Sequence, residues 1–118
     1  MKYLLIHYVD ESTVTWFDDD VADDPQEDRD IEAWDDEMKS RGILVGGGGL
    51  RSARTATTFT LRVRGGEVLV SDGPFAETKE QMAGYSVLEC VDLDEAIEVS
   101  SRHPTAKVGV FELRPFWE

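Results

Sequence analysis

Residues Lys2–Val9 constrain the fold most, because they read as a strand that is apolar on both faces. Side chains alternate across a strand. Leu4, Ile6 and Tyr8 therefore fall on one face, and Tyr3, Leu5, His7 and Val9 on the other. Such a strand needs cover on both sides. Lys107–Leu113 repeats the pattern, with Val108 and Val110 on one face and Phe111 and Leu113 on the other.

Two helices lie between these strands. Asp24-Pro25-Gln26-Glu27 has an N-cap, a proline suited to the first helical position and a capping-box glutamate. Ile31, Trp34 and Met38 follow at helical spacing, Lys39 and Arg41 complement the dipole, and Gly42 is the stop. Asp92-Leu93-Asp94-Glu95 repeats the capping logic. Leu93, Ala96, Ile97 and Ser100 are expected on the inner side of that helix, which ends at His103-Pro104.

The remaining strands are marked by alternation and turns. Ile43–Leu50 starts as a strand and runs into Gly46-Gly47-Gly48-Gly49. Walker spacing and a following Lys-Ser/Thr are absent, so the glycines read as a bulged strand end or a close backbone approach. Ala56–Val70 is a hairpin about Gly65-Gly66, with one face wet. Tyr85–Val91 is the next strand. Without the hairpin the order is βαββαβ, the ferredoxin-like pattern. Two helices cover one sheet face only. A partner's sheet is the simplest cover for the other, so the expectation is an α+β fold with an inserted hairpin that pairs into a dimeric α+β barrel. One domain, residues 1–118, fits the length.

The chain's strongest turn is Asp72-Gly73-Pro74, within Val70-Ser71-Asp72-Gly73-Pro74-Phe75-Ala76-Glu77-Thr78-Lys79-Glu80. An aromatic and a Glu/Lys/Glu cluster behind the turn exceed what a turn requires. This stretch, with Gly84-Tyr85 after it, resembles the signature of the DGPF branch of the YCII-related family. Ala56-Thr57-Thr58, Asp92-Leu93-Asp94-Glu95-Ala96 and Glu112-Leu113-Arg114-Pro115-Phe116-Trp117-Glu118 are similar to the family pattern, so the likeness spans nearly the whole chain. The resemblance implies the dimeric barrel. For some members it implies a His-Asp pair that does acid–base work on small cyclic substrates and includes a histidine on the first helix; residues 24–41 contain none. It also implies an association with extracytoplasmic-function sigma factors.

Composition excludes several classes. The net charge of −13 argues against direct nucleic-acid binding. No apolar run reaches the ~20 residues of a membrane span, and the sequence reads as a cytoplasmic protein. Cys90, the single cysteine, reads as a buried apolar residue. Asp18–Asp20, Asp23, Asp24 and the acids of residues 27–37 read as a solvated face. No calcium-loop or zinc spacing is present, so no metal and no cofactor are expected. Trp16-Phe17, inside the acidic connection, either pins that loop or folds over a pocket.

Topology gathers the candidate site at one sheet edge. Asp72 and His103 are the candidate catalytic pair, with Asp72 as base and His103 or Lys79 as acid. Tyr8, Phe75 and Lys79 are candidate substrate-binding residues. Each has a plainer role: Asp72 as a hydrogen-bond acceptor within its own turn, His103 as a helix-end cap, His7 as a packed core or dimer histidine. If Asp72 and His103 share a pocket they should lie within ~6 Å, and the carboxylate would raise the imidazole pKa. The readings that follow are a small-molecule enzyme, a ligand-binding homodimer without turnover, and a regulatory partner of a sigma factor.

Overall fold

The computed structural model describes residues 1–14, 16–17, 24–54 and 57–118. Strand β1 (Lys2–Val9) is followed by a short 3₁₀ turn (Glu11–Thr13), helix α1 (Pro25–Ser40) and β2 (Leu44–Gly49). The hairpin strands β3 (Phe59–Arg64) and β4 (Glu67–Asp72) come next, then β5 (Gln81–Glu89) and helix α2 (Leu93–Ser101). A second 3₁₀ turn (Pro104–Lys107) leads to β6 (Val110–Pro115).

Four strands form one antiparallel sheet in the order β2-β5-β1-β6, and β3-β4 form a separate ribbon. That order is consistent with the ferredoxin-like expectation for the four-stranded part. Both helices start as their sequences dictate. The Asp24 carboxylate accepts from the Gln26 and Glu27 N–H groups with Pro25 in the first turn, and Asp92 accepts from the Glu95 N–H.

The core lies on the helix side of the sheet. Tyr3 and Leu5 from β1 and Leu88 from β5 meet Trp34 and Met38 of α1 and Ala96 and Val99 of α2. The Trp34 indole donates to the Val99 carbonyl at 2.9 Å, tying the two helices together under cover. Ile43 and Cys90 complete the cluster, and Cys90 is buried with its thiol pKa raised by burial. The opposite sheet face carries Leu4, Ile6, Tyr8 and Val87, and no helix among the described residues packs on it.

Two local expectations are corrected. The inner side of α2 is Ala96, Val99 and Ser100, whereas Leu93 and Ile97 are about half exposed. The i, i+3, i+4 set built on the small Ala96 lets α2 come close to the sheet. The last strand starts at Val110 instead of Lys107. Pro104 and the His103 cap wind the chain into a 3₁₀ turn, and a Cβ at Gly109 would collide with the Tyr8 carbonyl.

The glycine run fulfils both of its readings. The β2–β5 register slips between Leu44 and Gly46, and Gly47 sits at φ 144° where a Cβ would lie 2.5 Å from the Tyr85 carbonyl oxygen. The Asp72-Gly73-Pro74 turn has Gly73 at φ 89°, with its N–H donating to the Thr58 carbonyl at 2.7 Å.

Candidate functional site

The two histidines of the chain meet beneath the helices. His7 projects from β1 toward the helix side, opposite Gly84 on β5 and Phe111 on β6. His103 arrives from the end of α2 and is 4% exposed. Their ring centroids are 4.9 Å apart, edge to face. Phe111 stacks on His7 at 4.5 Å, and Trp34 meets His103 edge-on at 4.7 Å.

This aromatic box keeps both imidazoles neutral. Burial lowers the pKa of each from 6.5 to about 4, and for His103 the neighbouring His7 adds to the effect. The expected elevation of the His103 pKa by a carboxylate is therefore corrected. Burial, not a paired charge, dominates its surroundings.

Hydrogen bonds fix what each ring can do. The Thr105 N–H donates to His103 Nδ1 at 3.0 Å, so the neutral ring carries its proton on Nε2. His103 is thus a cap, but of the 3₁₀ turn that follows it instead of α2. His7 Nε2 lies 3.2 Å from the Ser86 hydroxyl. No carboxylate among the described residues hydrogen-bonds to His7, so the Ser86–His7 pair lacks the orienting third member of a nucleophilic triad.

A cavity of about 880 Å³ opens on the pair. The backbone of Gly47–Gly49 and residues 83–86 of β5 form one part of its lining. Glu27, Asp28, Ile31 and Asp35 come from α1, Arg51, Ser52 and Arg54 from the segment after β2, and Trp16 and Phe17 from the acidic connection. The Trp16 indole donates to the Glu27 carboxylate at 2.7 Å. That contact joins the pinning and pocket-lining readings of the aromatic pair. Asp35 is half-buried, and burial raises its carboxyl pKa.

The residues singled out from sequence are distributed differently. His103 lines this cavity; Asp72, Tyr8, Phe75 and Lys79 do not. Asp72 is exposed at the end of β4, opposite Phe59, and its carboxylate makes no hydrogen bond among the described residues. Phe75 is 80% exposed, with the Arg62 guanidinium 5.4 Å from its ring centre. The Tyr8 hydroxyl donates to Glu112 at 3.3 Å on the other side of the sheet. Lys79 lines a separate, shallow cleft with Glu11, Ser12, Arg54, Pro74 and Gln81. Beside it the Asp10 carboxyl is held below its usual range by hydrogen bonds from Ser12, with Lys79 contributing less.

Sequence reading gives His7 only a packed core or dimer role and passes over Ser86 and Asp35 as site residues. Their signals were weak. His7 alternates like a core residue, Ser86 is one hydroxyl in a strand, and Asp35 is one acid among many on α1. Among the described residues no group of three or more His, Cys, Asp or Glu side chains is placed to hold a metal ion. Residues 18–23, which carry the densest acid run, lie outside the described residues. No described helix is long and apolar enough to cross a membrane.

Comparison with known proteins agrees with the fold. The YCII-related domain model matches residues 1–118. An uncharacterized protein of Rhizobium meliloti (strain 1021) is 38% identical over 120 residues, which cover 98% of this chain and 91% of that protein. A match over the full described length, with a relative this similar, assigns the chain to a family: it belongs to the YCII-related proteins.

Proposed function

We propose that the chain is a small-molecule protein whose site is the cavity around His7 and His103, with chemistry confined to proton transfer and hydrogen bonding. One observation carries this reading: two neutral imidazoles, 4.9 Å apart, border a cavity of about 880 Å³. Buried polar residues with shifted pKa values in a concave site mark functional positions. The His103 Nε2–H is suited to polarise a carbonyl, because a neutral imidazole donates without surrendering its proton. His7 offers a lone pair as base, and Asp35, with its raised pKa, is a proton carrier at the α1 side. The reaction class this set favours is proton movement next to a carbonyl in a small, ring-sized compound.

The test is a ligand-detected NMR screen with small cyclic carbonyl and carboxylic compounds, followed through the His7 and His103 ring protons. Binders should shift both rings, and His7→Gln with His103→Asn should abolish binding in the ligand-detected spectra while Asp72→Asn leaves it. Binders that leave both rings unmoved would refute the site.

The homodimer belongs to the same reading. Leu4, Tyr8 and Val87 are partly exposed around the buried Ile6 on a sheet face that no helix among the described residues covers, and a second copy would complete its burial sheet to sheet. Light scattering giving a monomer mass at micromolar concentration, with the fold intact, would remove the dimer. A second reading, a regulatory partner of an extracytoplasmic-function sigma factor, gains support from the exposed Phe75 and the solvent-facing apolar residues of the hairpin. A pull-down between the purified chain and such a sigma factor tests it, and absence of a complex would count against it.

A further inference from the structure

The β3–β4 ribbon has an apolar face that is exposed among the described residues. Register places Leu61 opposite Val70 and Val63 opposite Val68, with Phe59 in the same row. These five side chains share one face, and each is 52–63% exposed. The other face carries Thr60, Arg62, Arg64, Glu67, Leu69 and Ser71. The tip is a two-glycine turn with Gly65 at φ 57° and Gly66 at φ 81°, the geometry that matches the twist of paired strands. Among the described residues the ribbon pairs with no other strand of its chain. An isolated two-stranded hairpin is marginal in water and gains stability from a layer against its apolar side.

The exposed surface on that face is on the order of 600 Å², comparable to one partner's share of a stable interface, about 800 Å². Charge narrows the choice of cover. Residues 38–66 contain Lys39, Arg41, Arg51, Arg54, Arg62 and Arg64 and no Asp or Glu, so all 25 carboxylates lie elsewhere in a chain of net charge −13. Two copies repel over most of their surfaces, and this cationic segment is where approach is favoured.

We propose that the β3–β4 hairpin is an arm that seats on a second copy of this chain, burying Phe59, Leu61, Val63, Val68 and Val70 there, with Arg62 and Arg64 on the outward face lowering the repulsion between two acidic copies. The arm is an interaction element in addition to the bare sheet face, and it is independent of the histidine cavity.

Sedimentation of the full chain tests it with three variants. Leu61→Ser combined with Val70→Thr strips the apolar face and is expected to raise the dimer dissociation constant about tenfold or more. Leu69→Thr, on the opposite face, should leave it within about twofold. Val87→Ser, on the sheet face, separates the two contacts: dissociation by this variant with none from the double variant would overturn the arm and leave the sheet dimer standing. Hydrogen exchange of the unaltered chain guards against misfolding of the variants. Protection of residues 59–70 should rise with protein concentration across the association range. Protection independent of concentration, or a chain that stays monomeric at about 100 μM, would overturn the proposal.

Discussion

Acid should destabilise this protein chiefly through its two histidines as the pH falls from 6.5 toward 4. His7 and His103 are the only histidines in the chain, and each is lowered from 6.5 to about 4 in the folded state. The unfolded chain therefore binds more protons than the folded one between those values, and stability rises with pH there. The stabilisation is fully present above pH 6.5 and is lost as the pH falls toward 4. Each proton taken up differentially is worth about 1.4 kcal/mol per pH unit, so going from pH 6.5 to 5 costs about 2 kcal/mol per histidine. Two histidines remove about 4 kcal/mol, a large share of the 5–15 kcal/mol typical of a domain. His7 is only half-buried, which makes its portion the smaller. Ordinary carboxylates titrate below this window, and Asp35, whose pKa burial raises, opposes the histidines by binding protons in the folded state. Urea denaturation followed by tryptophan fluorescence at half-unit steps from pH 5 to 7.5 measures the slope. The unaltered chain should approach two protons, and His7→Gln about one. Parallel lines for the two proteins, or a flat line for the unaltered chain, would refute the burial of neutral imidazoles.

Three further outcomes are expected. Gly47→Ala should destabilise by about 1–3 kcal/mol, because its φ of 144° and the Tyr85 carbonyl leave no room for a methyl, whereas Gly48→Ala should be nearly neutral; thermal melts of the pair decide this. Trp34→Phe should cost about 1 kcal/mol in urea unfolding by removing the shorter of two bonds to the Val99 carbonyl, which keeps the Arg102 N–H at 3.3 Å, and an unchanged midpoint would show that the indole bond contributes nothing. Added sodium chloride should raise the melting temperature through screening of the chain's net charge of −13, while calcium titration should show no tight saturable binding if the acids on and before α1 are a solvated face.

Sequence reading recovers most of the frame because each element carries its own local signal. Asp24-Pro25 and Asp92 start the helices, Gly65-Gly66 turns the hairpin, and the two-sided β1 sits centrally in its sheet. It is less accurate where packing overrides pattern. Ile97 has the larger apolar side chain, but Val99 faces the core because α2 is rotated to bring Ala96 against the sheet. The site was legible only in part. His103 was identified, but its partner is His7, ninety-six positions away in the chain and visible only once β1 and the end of α2 are in place. Asp72 drew attention through its turn and its charged neighbours, both local features, and local features do not report which side of a sheet a loop serves.

The wall formed by Gly47, Gly48 and Gly49 presents peptide groups to the cavity instead of side chains. Such a surface is nearly closed to gradual adaptation. Any residue added on the cavity side either meets the β5 backbone, as at Gly47, or takes up cavity space, as at Gly49, which pairs with Gly84 beside His7. Divergence of ligand preference among related chains would therefore be carried by the opposing elements, at Arg51, Arg54, Ile31 and Asp35, where a side chain can change without disturbing the sheet.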